Sequence, residues 1–320
     1  MEQNDRYLNP ETLLNRKEHV FDYSMISSFT GATVMITGAG GTLGTILTTI
    51  LMARADKLIL VGHGENSLFL LKKKFQATGY RAVQKYILAD CQNESDMYEI
   101  IEEHRPDYVI HCAAHKHVGM LEENVQAAHQ NNVLATMRVI KACSAYPKMT
   151  AFVLISTDKA VDPISVYGSS KYMAERYVVK CCCDTDTRFV AVRLGNILGS
   201  RGSVIGLWEK EINALEPLTI TETLASRYFT TPYEAAMSVL TVAQCGINHS
   251  VYIARIGAPV YIKDLAQRFW KMFSPETHHI AVNIKGLSTG EKMDETFVAA
   301  NEKAVETQME NIFRIERTYR

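Results

Sequence analysis

Residues 32–44 read Ala32-Thr-Val-Met-Ile-Thr37-Gly38-Ala-Gly-Gly41-Thr-Leu-Gly44. A short β-branched apolar run ends at a glycine, and a run of helix formers follows. Length and flanks make Ala32–Thr37 a buried parallel strand and place a helix over Thr42–Ala55. The junction fits GxxGxxG in the one context where that pattern carries a mechanism, the turn between a strand and a helix. Gly38 permits the tight turn. Gly41 lets a pyrophosphate approach backbone N–H groups, and Gly44 lets helix and strand pack closely. Thr42 and Leu43, the first helical residues, complete a candidate dinucleotide site.

Outward from this junction the pattern repeats. Strands are expected at Lys57–Val61, Arg81–Leu88, Asp107–Cys112, Ala151–Ile155 and Arg188–Leu194. Helices are expected at Ser67–Thr78, Glu94–His104, Val125–Ala145 and Tyr167–Cys182. Strict strand–helix alternation predicts an α/β fold, a Rossmann-type doubly wound parallel sheet. After Asn196 the pattern becomes irregular. The expected organisation is a helical N-terminal extension over 1–29, with Pro10 near a helix start, and a dinucleotide-binding domain over 30–195. Residues 196–320 are expected to form mainly a smaller substrate-binding lobe, with some elements returning to the sheet.

The 320 residues carry a net charge of -1, with 47% hydrophobic and 22% charged residues. That balance is ordinary for a globular protein and leaves no electrostatic footprint for nucleic acid. No apolar run is long enough for a transmembrane helix, and the polar first twenty residues lack a signal-peptide core. Seven cysteines, three of them adjacent at Cys181–Cys183, show no CxxC spacing. They read as reduced thiols, and the protein as cytoplasmic. His115 and His117, two residues apart without an acidic or thiol set, do not make a metal site.

The end of the second strand bears on which dinucleotide binds. An acidic residue there would hold the adenosine ribose. This chain reads Val61-Gly62-His63-Gly64-Glu65-Asn66. No carboxylate sits at the first position, and His63 and the Lys72-Lys73-Lys74 run could meet a 2′-phosphate, although that run reads better as a solvated helix face. The reading leans to NADP over NAD. Asp90 after the third strand, and Ala113 and Ala114 after the fourth, fit the adenine and central walls of the cofactor site.

Residues 156–171, STDKAVDPISVYGSSK, carry the chemistry. Tyr167 and Lys171, four residues apart, share one helix face. A free phenol is a poor base at neutral pH. A neighbouring ammonium and a bound nicotinamide charge both favour the phenolate. Thr157 is placed to hydrogen-bond a substrate hydroxyl. Asp158 and Lys159 offer an acid and an amine base a few residues away.

These motifs resemble those of the extended short-chain dehydrogenases/reductases that act on nucleotide sugars. Within them the chain resembles the polysaccharide-biosynthesis branch that contains the UDP-N-acetylglucosamine 4,6-dehydratases. The likeness runs from about Gly31 to Phe297. It rests on TGAGGTLG at 37–44, HCAAHKHVGMLEEN at 111–124, NNVLAT at 131–136, STDKAVDP at 156–163, YGSSK at 167–171, RLGNILGSRGSVI at 193–205, SRYFTT at 226–231 and TGEKMDE at 289–295. Two departures are Gly62, where the family usually has an acidic or Ser-Arg-type residue, and Gly119, where it often has proline.

The resemblance implies a cycle. Tyr167 takes the proton from the sugar O4, hydride leaves C4 for the nicotinamide, and the ketone acidifies C5. Lys159, as a neutral amine, removes the C5 proton. Asp158 protonates the departing C6 hydroxyl, and hydride returns to C6, so the tightly held cofactor is recycled. Hexose dehydratases usually carry Asp-Glu where this chain has Asp158-Lys159. By the same resemblance Arg201 and Arg227 clamp the diphosphate of a UDP-sugar. Asn196, Ser203 and Lys116 line the substrate side, and the protein is a homo-oligomer built through helices beside the active site. Two alternatives remain at this point: a UDP-sugar 4-epimerase, and a non-catalytic NADP-binding member of the fold.

Overall fold

The computed structural model describes residues 8–318 apart from 77–78, 81, 182–184 and 274–279. After α1 (Pro10–Leu14), β1 (Thr33–Thr37) runs into the glycine turn and α2 (Thr42–Leu51) leaves it. β1 is buried from Val34 onward, as a strand covered on both faces must be. α2 buries Leu43, Leu47 and Leu51, a four-residue spacing that turns one stripe to the sheet.

Among the described residues one large sheet gathers nine strands. They are β1, β2 (Lys57–Gly62), β3 (Val83–Leu88), β4 (Tyr108–His111), β5 (Ala151–Thr157), β6 (Arg188–Leu194), β7 (Ser250–Ala254), β8 (Glu302–Glu306) and β9 (Ile312–Arg317), in spatial order β8-β9-β7-β6-β5-β4-β1-β2-β3. The strands from β3 across to β7 are parallel, and β8 and β9 add an antiparallel edge. Strand order reverses between β1 and β4, whose ends meet at Thr37 opposite His111. A doubly wound sheet opens its ligand crevice there, outside the carboxyl ends of the strands.

The connecting helices are α3 (Glu65–Phe75), α4 (Glu94–His104), α5 (Val118–Glu122), α6 (Val125–Ala128), α7 (Ala135–Ser144) and α8 (Val166–Lys180). The continuous helix expected over Val125–Ala145 is interrupted by a π turn at His129–Leu134. The cause is polar: Asn132 turns inward, donating to His115 O at 3.0 Å and Ser170 Oγ at 2.9 Å while accepting from His115 N–H at 2.8 Å. A π bulge re-aims side chains at a functional site. Here it ties the loop after β4 to α8.

Beyond β6 come α9 (Val204–Asn213), α10 (Pro232–Cys245) and α11 (Ile262–Phe273). α10 starts with a capping box between Thr231 and Glu234 and Pro232 in its first turn, and it is buried from Glu234 to Ala243. It packs on the large sheet with β7 behind it, so this stretch belongs to the main core. The smaller lobe has its own core of Trp208, Leu218, Ile220, Leu265 and Phe269, joined by Leu13 and Leu14 of α1. Farther along the N-terminal segment, Phe21, Ile26 and Phe29 enter the main core. Arg16 forks onto Glu234 at 2.6 and 2.8 Å, so residues 10–29 run across both cores. Cys181 is buried; Cys182 and Cys183 lie outside the described residues. Among the described residues no helix is long and apolar enough to cross a membrane.

Candidate active site

The glycine turn has the shape a dinucleotide needs. A Cβ on Gly38, whose φ is +63°, would lie 2.7 Å from the Ala113 backbone nitrogen, and one on Gly44 would lie 2.5 Å from Gly38 O. The first helical N–H groups of α2 have no side-chain cap, because Gly41 is the cap residue. Uncapped N–H groups at a helix N-terminus suit a pyrophosphate. The residues present therefore fit the expected cofactor. Gly38→Val meets both a positive φ and the Ala113 backbone, and should abolish dinucleotide binding, read as loss of nicotinamide dinucleotide retained through purification.

The walls of the crevice are fixed from below. Thr37 Oγ1 is 2.7 Å from His111 Nδ1, and His111 Nε2 is 3.1 Å from Thr136 Oγ1. Burial drives His111 down to about 3, so it is a neutral structural linker. Ala113 N–H reaches Thr37 Oγ1 at 3.4 Å, holding the Ala113-Ala114 loop against the glycine turn. Asp90 caps its own turn by accepting from Gln92 N–H at 2.9 Å, and it lies near His115. His63 follows β2, its ring 6.4 Å from that of His115. Lys72, Lys73 and Lys74 occupy the exposed last turn of α3. At 1.5 Å per residue they lie roughly 12 Å along the helix from its first turn, away from the crevice.

The catalytic candidates converge at the end of β5. Thr157 is the last strand residue, and Asp158-Lys159-Ala160 forms a single 3₁₀ turn. Asp158 is fully buried; it accepts from the Thr157 hydroxyl at 2.9 Å and from Lys159 Nζ at 3.0 Å. Lys159 Nζ also donates to Asn196 Oδ1 at 3.2 Å. The start of α8 is held twice, by Ser165 Oγ on Gly168 N–H at 2.9 Å and by Glu122 on Val166 N–H at 2.7 Å. That anchoring fixes Tyr167 in the first turn, with Lys171 buried one turn later.

Burial pushes the Tyr167 phenol well up, with Asp158 and Glu295 acting the same way and a hydrogen bond from Thr157 opposing them. Burial also pulls Lys171 down to about 8, with Cys112 and Glu175 acting the opposite way. The phenolate anticipated from the sequence is thus not the resting form of the chain alone. Its formation needs added positive charge in the pocket.

The substrate-side residues divide. Asn196 joins Lys159. Arg201 donates through Nη2 to Gly40 O at 2.7 Å and through its backbone N–H to Thr42 Oγ1 at 3.0 Å, so it lies across the glycine turn. Lys116 Nζ is 3.3 Å from Ser200 Oγ, joining the loop after β4 to the loop that carries Arg201. Ser203 caps α9 in position only; its hydroxyl is buried without a hydrogen-bond partner. Arg227 is buried and donates to the carbonyls of Ser226 at 2.7 Å and Met293 at 2.8 Å.

Sequence reasoning missed Glu295, whose Oε1 lies 3.7 Å from Lys159 Nζ, and the buried carboxylate Glu175, which accepts from Ser156 Oγ at 2.9 Å. The only signal for Glu295 was its place in the TGEKMDE stretch. Glu291 of that stretch accepts from Ser288 N–H at 2.9 Å and so shapes the turn.

The family described as "Polysaccharide biosynthesis protein" matches residues 34–317. The chain is 37% identical over 95% of its length to the capsular polysaccharide biosynthesis protein CapD of Staphylococcus aureus, covering 51% of that protein. The chain thus spans about half the length of that relative, and of EpsC of Bacillus subtilis at 50%. It is 28% identical to the inverting UDP-N-acetylglucosamine 4,6-dehydratase of Campylobacter jejuni, over 90% of this chain and 83% of that protein. It is 29% identical to the UDP-glucose 4-epimerase of Rickettsia rickettsii over the same shares. The solved structure of Pen from Bacillus thuringiensis superposes with a TM-score of 0.81 at 29% identity, over 90% of this chain and 88% of that one. The dTDP-glucose 4,6-dehydratase DesIV from Streptomyces venezuelae, solved with NAD and TYD, matches at a TM-score of 0.72 and 16% identity, over 82% of this chain and 87% of that one, a likeness of fold.

Proposed function

We propose, from the premise that this chain belongs to the polysaccharide biosynthesis protein family, that it is a nucleotide-sugar 4,6-dehydratase acting on UDP-N-acetylglucosamine. The observation that carries this reading is the Asp158–Lys159 pair. A buried carboxylate and an amine 3.0 Å apart stand at the end of β5, beside Tyr167. C4 oxidation needs a base at O4, Tyr167, and the nicotinamide as hydride acceptor, but not this pair. Loss of water across C5 and C6 needs an acid and a base acting on neighbouring carbons, which this pair supplies.

When bound, the nicotinamide accepts hydride from C4 and returns it to C6. Tyr167, with Thr157 beside it, takes the O4 proton. Lys159 takes the C5 proton, and Asp158 gives its proton to the departing hydroxyl. Gly38, Gly41, Thr42, Leu43 and Gly44 would hold the pyrophosphate, with Asp90, Ala113, Ala114, Tyr167 and Lys171 lining the rest of the dinucleotide site. Arg201 closes over the same loop from the lobe side. Arg227, Asn196, Ser203 and Lys116 remain the substrate-side set. The dinucleotide is NAD or NADP; with the lysine run far from the crevice, a preference for NADP rests on His63. Residues 30–195, with the returning strands β7–β9, hold the cofactor, and the smaller lobe within 196–320 covers the sugar nucleotide. Self-association would cover Met120, Val125 and Met173, exposed by 67, 52 and 46% on helices beside the site.

The test is incubation with UDP-N-acetylglucosamine followed by mass spectrometry and NMR. Loss of one water is the expected result. A product of unchanged mass inverted at C4 would establish the epimerase reading, which the Rickettsia relative keeps in view.

A further inference from the structure

The loop carrying Lys292 and Glu295 is pinned to the catalytic turn. Lys292 Nζ donates to Val161 O at 2.7 Å. Met293 O accepts from Ser226 N–H at 3.1 Å and from Arg227 Nη1 at 2.8 Å, and the Ser226 hydroxyl donates to Asp294. Glu295 follows these anchors with its side chain turned inward, 3% exposed. Its Oε1 is 3.7 Å from Lys159 Nζ and its Oε2 is 3.6 Å from Lys292 Nζ. Oε2 has no hydrogen-bond partner, and neither has Asp158 Oδ2. Buried carboxylate oxygens left this way are costly, and a fold that holds two of them around one amine calls for a reason other than stability.

The geometry around Lys159 Nζ supplies one. It faces Asp158 Oδ1 at 3.0 Å, Asn196 Oδ1 at 3.2 Å and Glu295 Oε1 at 3.7 Å. An ammonium has three N–H bonds, here two hydrogen bonds to Asp158 and Asn196 and a charge contact with Glu295, whereas the neutral amine has two N–H bonds and a lone pair. We propose that Glu295 is a positioning residue for the acid–base pair: its charge, at ion-pair distance, and the Asn196 acceptor draw the Lys159 N–H bonds to their side, so that once the proton has passed to Asp158 the amine lone pair is left on the side of Asp158 and the substrate. The inference rests on the dehydratase reading.

The protons balance. The resting pair, ammonium and carboxylate, shares one mobile proton, and its transfer to Asp158 gives an amine and a carboxylic acid. The amine takes the C5 proton. The C5–H electron pair forms the C5–C6 double bond as the C6–O bond breaks, and the Asp158 proton leaves with the hydroxyl as water. The pair ends as ammonium and carboxylate again. The groups facing Lys159 and Glu295 are Asp158 on the β5 turn, Tyr167 on α8, Arg227 of the 226–227 strand and Lys292 of the loop. The net shift of Glu295 is upward, from burial and the Asp158 charge against the opposing pull of Lys159, Lys292 and Arg227.

The experiment is the pH dependence of water loss, with solvent deuterium incorporation at C5, for the wild type, Glu295→Gln and Glu295→Asp. Glu295→Gln should retain dinucleotide and melting temperature. Its turnover should fall about tenfold, and the alkaline limb, where the pair gives up its shared proton, should move about one pH unit lower. That is the lower end of the effect of an opposite charge at this range. Glu295→Asp should fall between the two. A limb at the wild-type position in Glu295→Gln overturns the proposal, whatever the rate. If Glu295→Gln does not fold, an unchanged limb and rate in Glu295→Asp overturn it. A wild type that incorporates no deuterium at C5 fails the dehydratase reading itself and takes this assignment with it.

Discussion

Lys159→Met should bind dinucleotide and sugar nucleotide, oxidise C4, and stop there. Methionine keeps the length of the side chain and removes the base. The C5 proton then has no acceptor, since the carboxylate beside it, Asp158, is needed as the acid. Turnover to the 6-deoxy product should fall by about 10³-fold, within the range usual for a positioned acid or base. The 4-keto sugar that retains its C6 hydroxyl should appear in rapid-quench mass spectrometry, and C5 should take up no solvent deuterium. Product formed at a wild-type rate would remove Lys159 from the chemistry. The substitution also leaves Asp158 buried with only the Thr157 hydroxyl as partner, so the variant should melt earlier. Dinucleotide retention separates this loss of stability from the loss of chemistry.

How much of this was open to a reader of the sequence depended on how local the signal was. The glycine turn and the six alternating strands were legible because each is bounded by its own glycine, proline or polar break. Thr157, Asp158, Lys159, Tyr167 and Lys171 were legible for a related reason: one strand end, one turn and one helix face carry all five. α10 was not. A helix packed on most sides by Ala235, Ala236, Val239 and Ala243 shows no polar face, so its period is hidden. Arg201 and Arg227 read as anion clamps only through the family resemblance. What each touches, the glycine turn for one and backbone carbonyls for the other, depends on loops brought together from distant parts of the chain. Glu295 stands more than a hundred residues from Lys159, and no period or spacing connects them.

The same dependence on distant contacts governs the support of the catalytic helix, and there the expected effect is on folding. Arg193 on β6, 1% exposed, donates through Nε and Nη2 to Glu175 at 3.0 and 2.6 Å. It also donates to Glu302 of β8 at 2.7 and 2.9 Å and to Phe297 O at 2.7 Å. Glu175 lies one turn beyond Lys171 on α8 and accepts from Ser156, the residue before Thr157. Arg317 closes the group, 3.1 Å from Glu302. The cluster thus joins β5, α8, β6 and the β8–β9 edge behind the acid–base pair.

Arg193→Leu leaves Glu175 and Glu302 buried with Arg317, at the rim of the group, as their remaining cation, and removing one partner of such a group costs about 4 kcal/mol. For a chain of this length the melting temperature should fall by roughly 6 °C, from an unfolding entropy of about 2.1 cal/mol/K per residue. Acid adds a second signature. The Arg193 hydrogen bonds and charge, opposed by burial, hold Glu302 down to about 2. A depressed carboxylate contributes stability above its unfolded value and loses it as pH falls towards its folded one. Wild-type stability should therefore drop between about pH 4.5 and 2 through Glu302, and Arg193→Leu should flatten that drop. Calorimetry across that range decides the point. An unchanged melting temperature and acid limb in Arg193→Leu would mean that α8 is held by its apolar face alone, and that the Ser156–Glu175–Arg193 chain does not fix the catalytic turn.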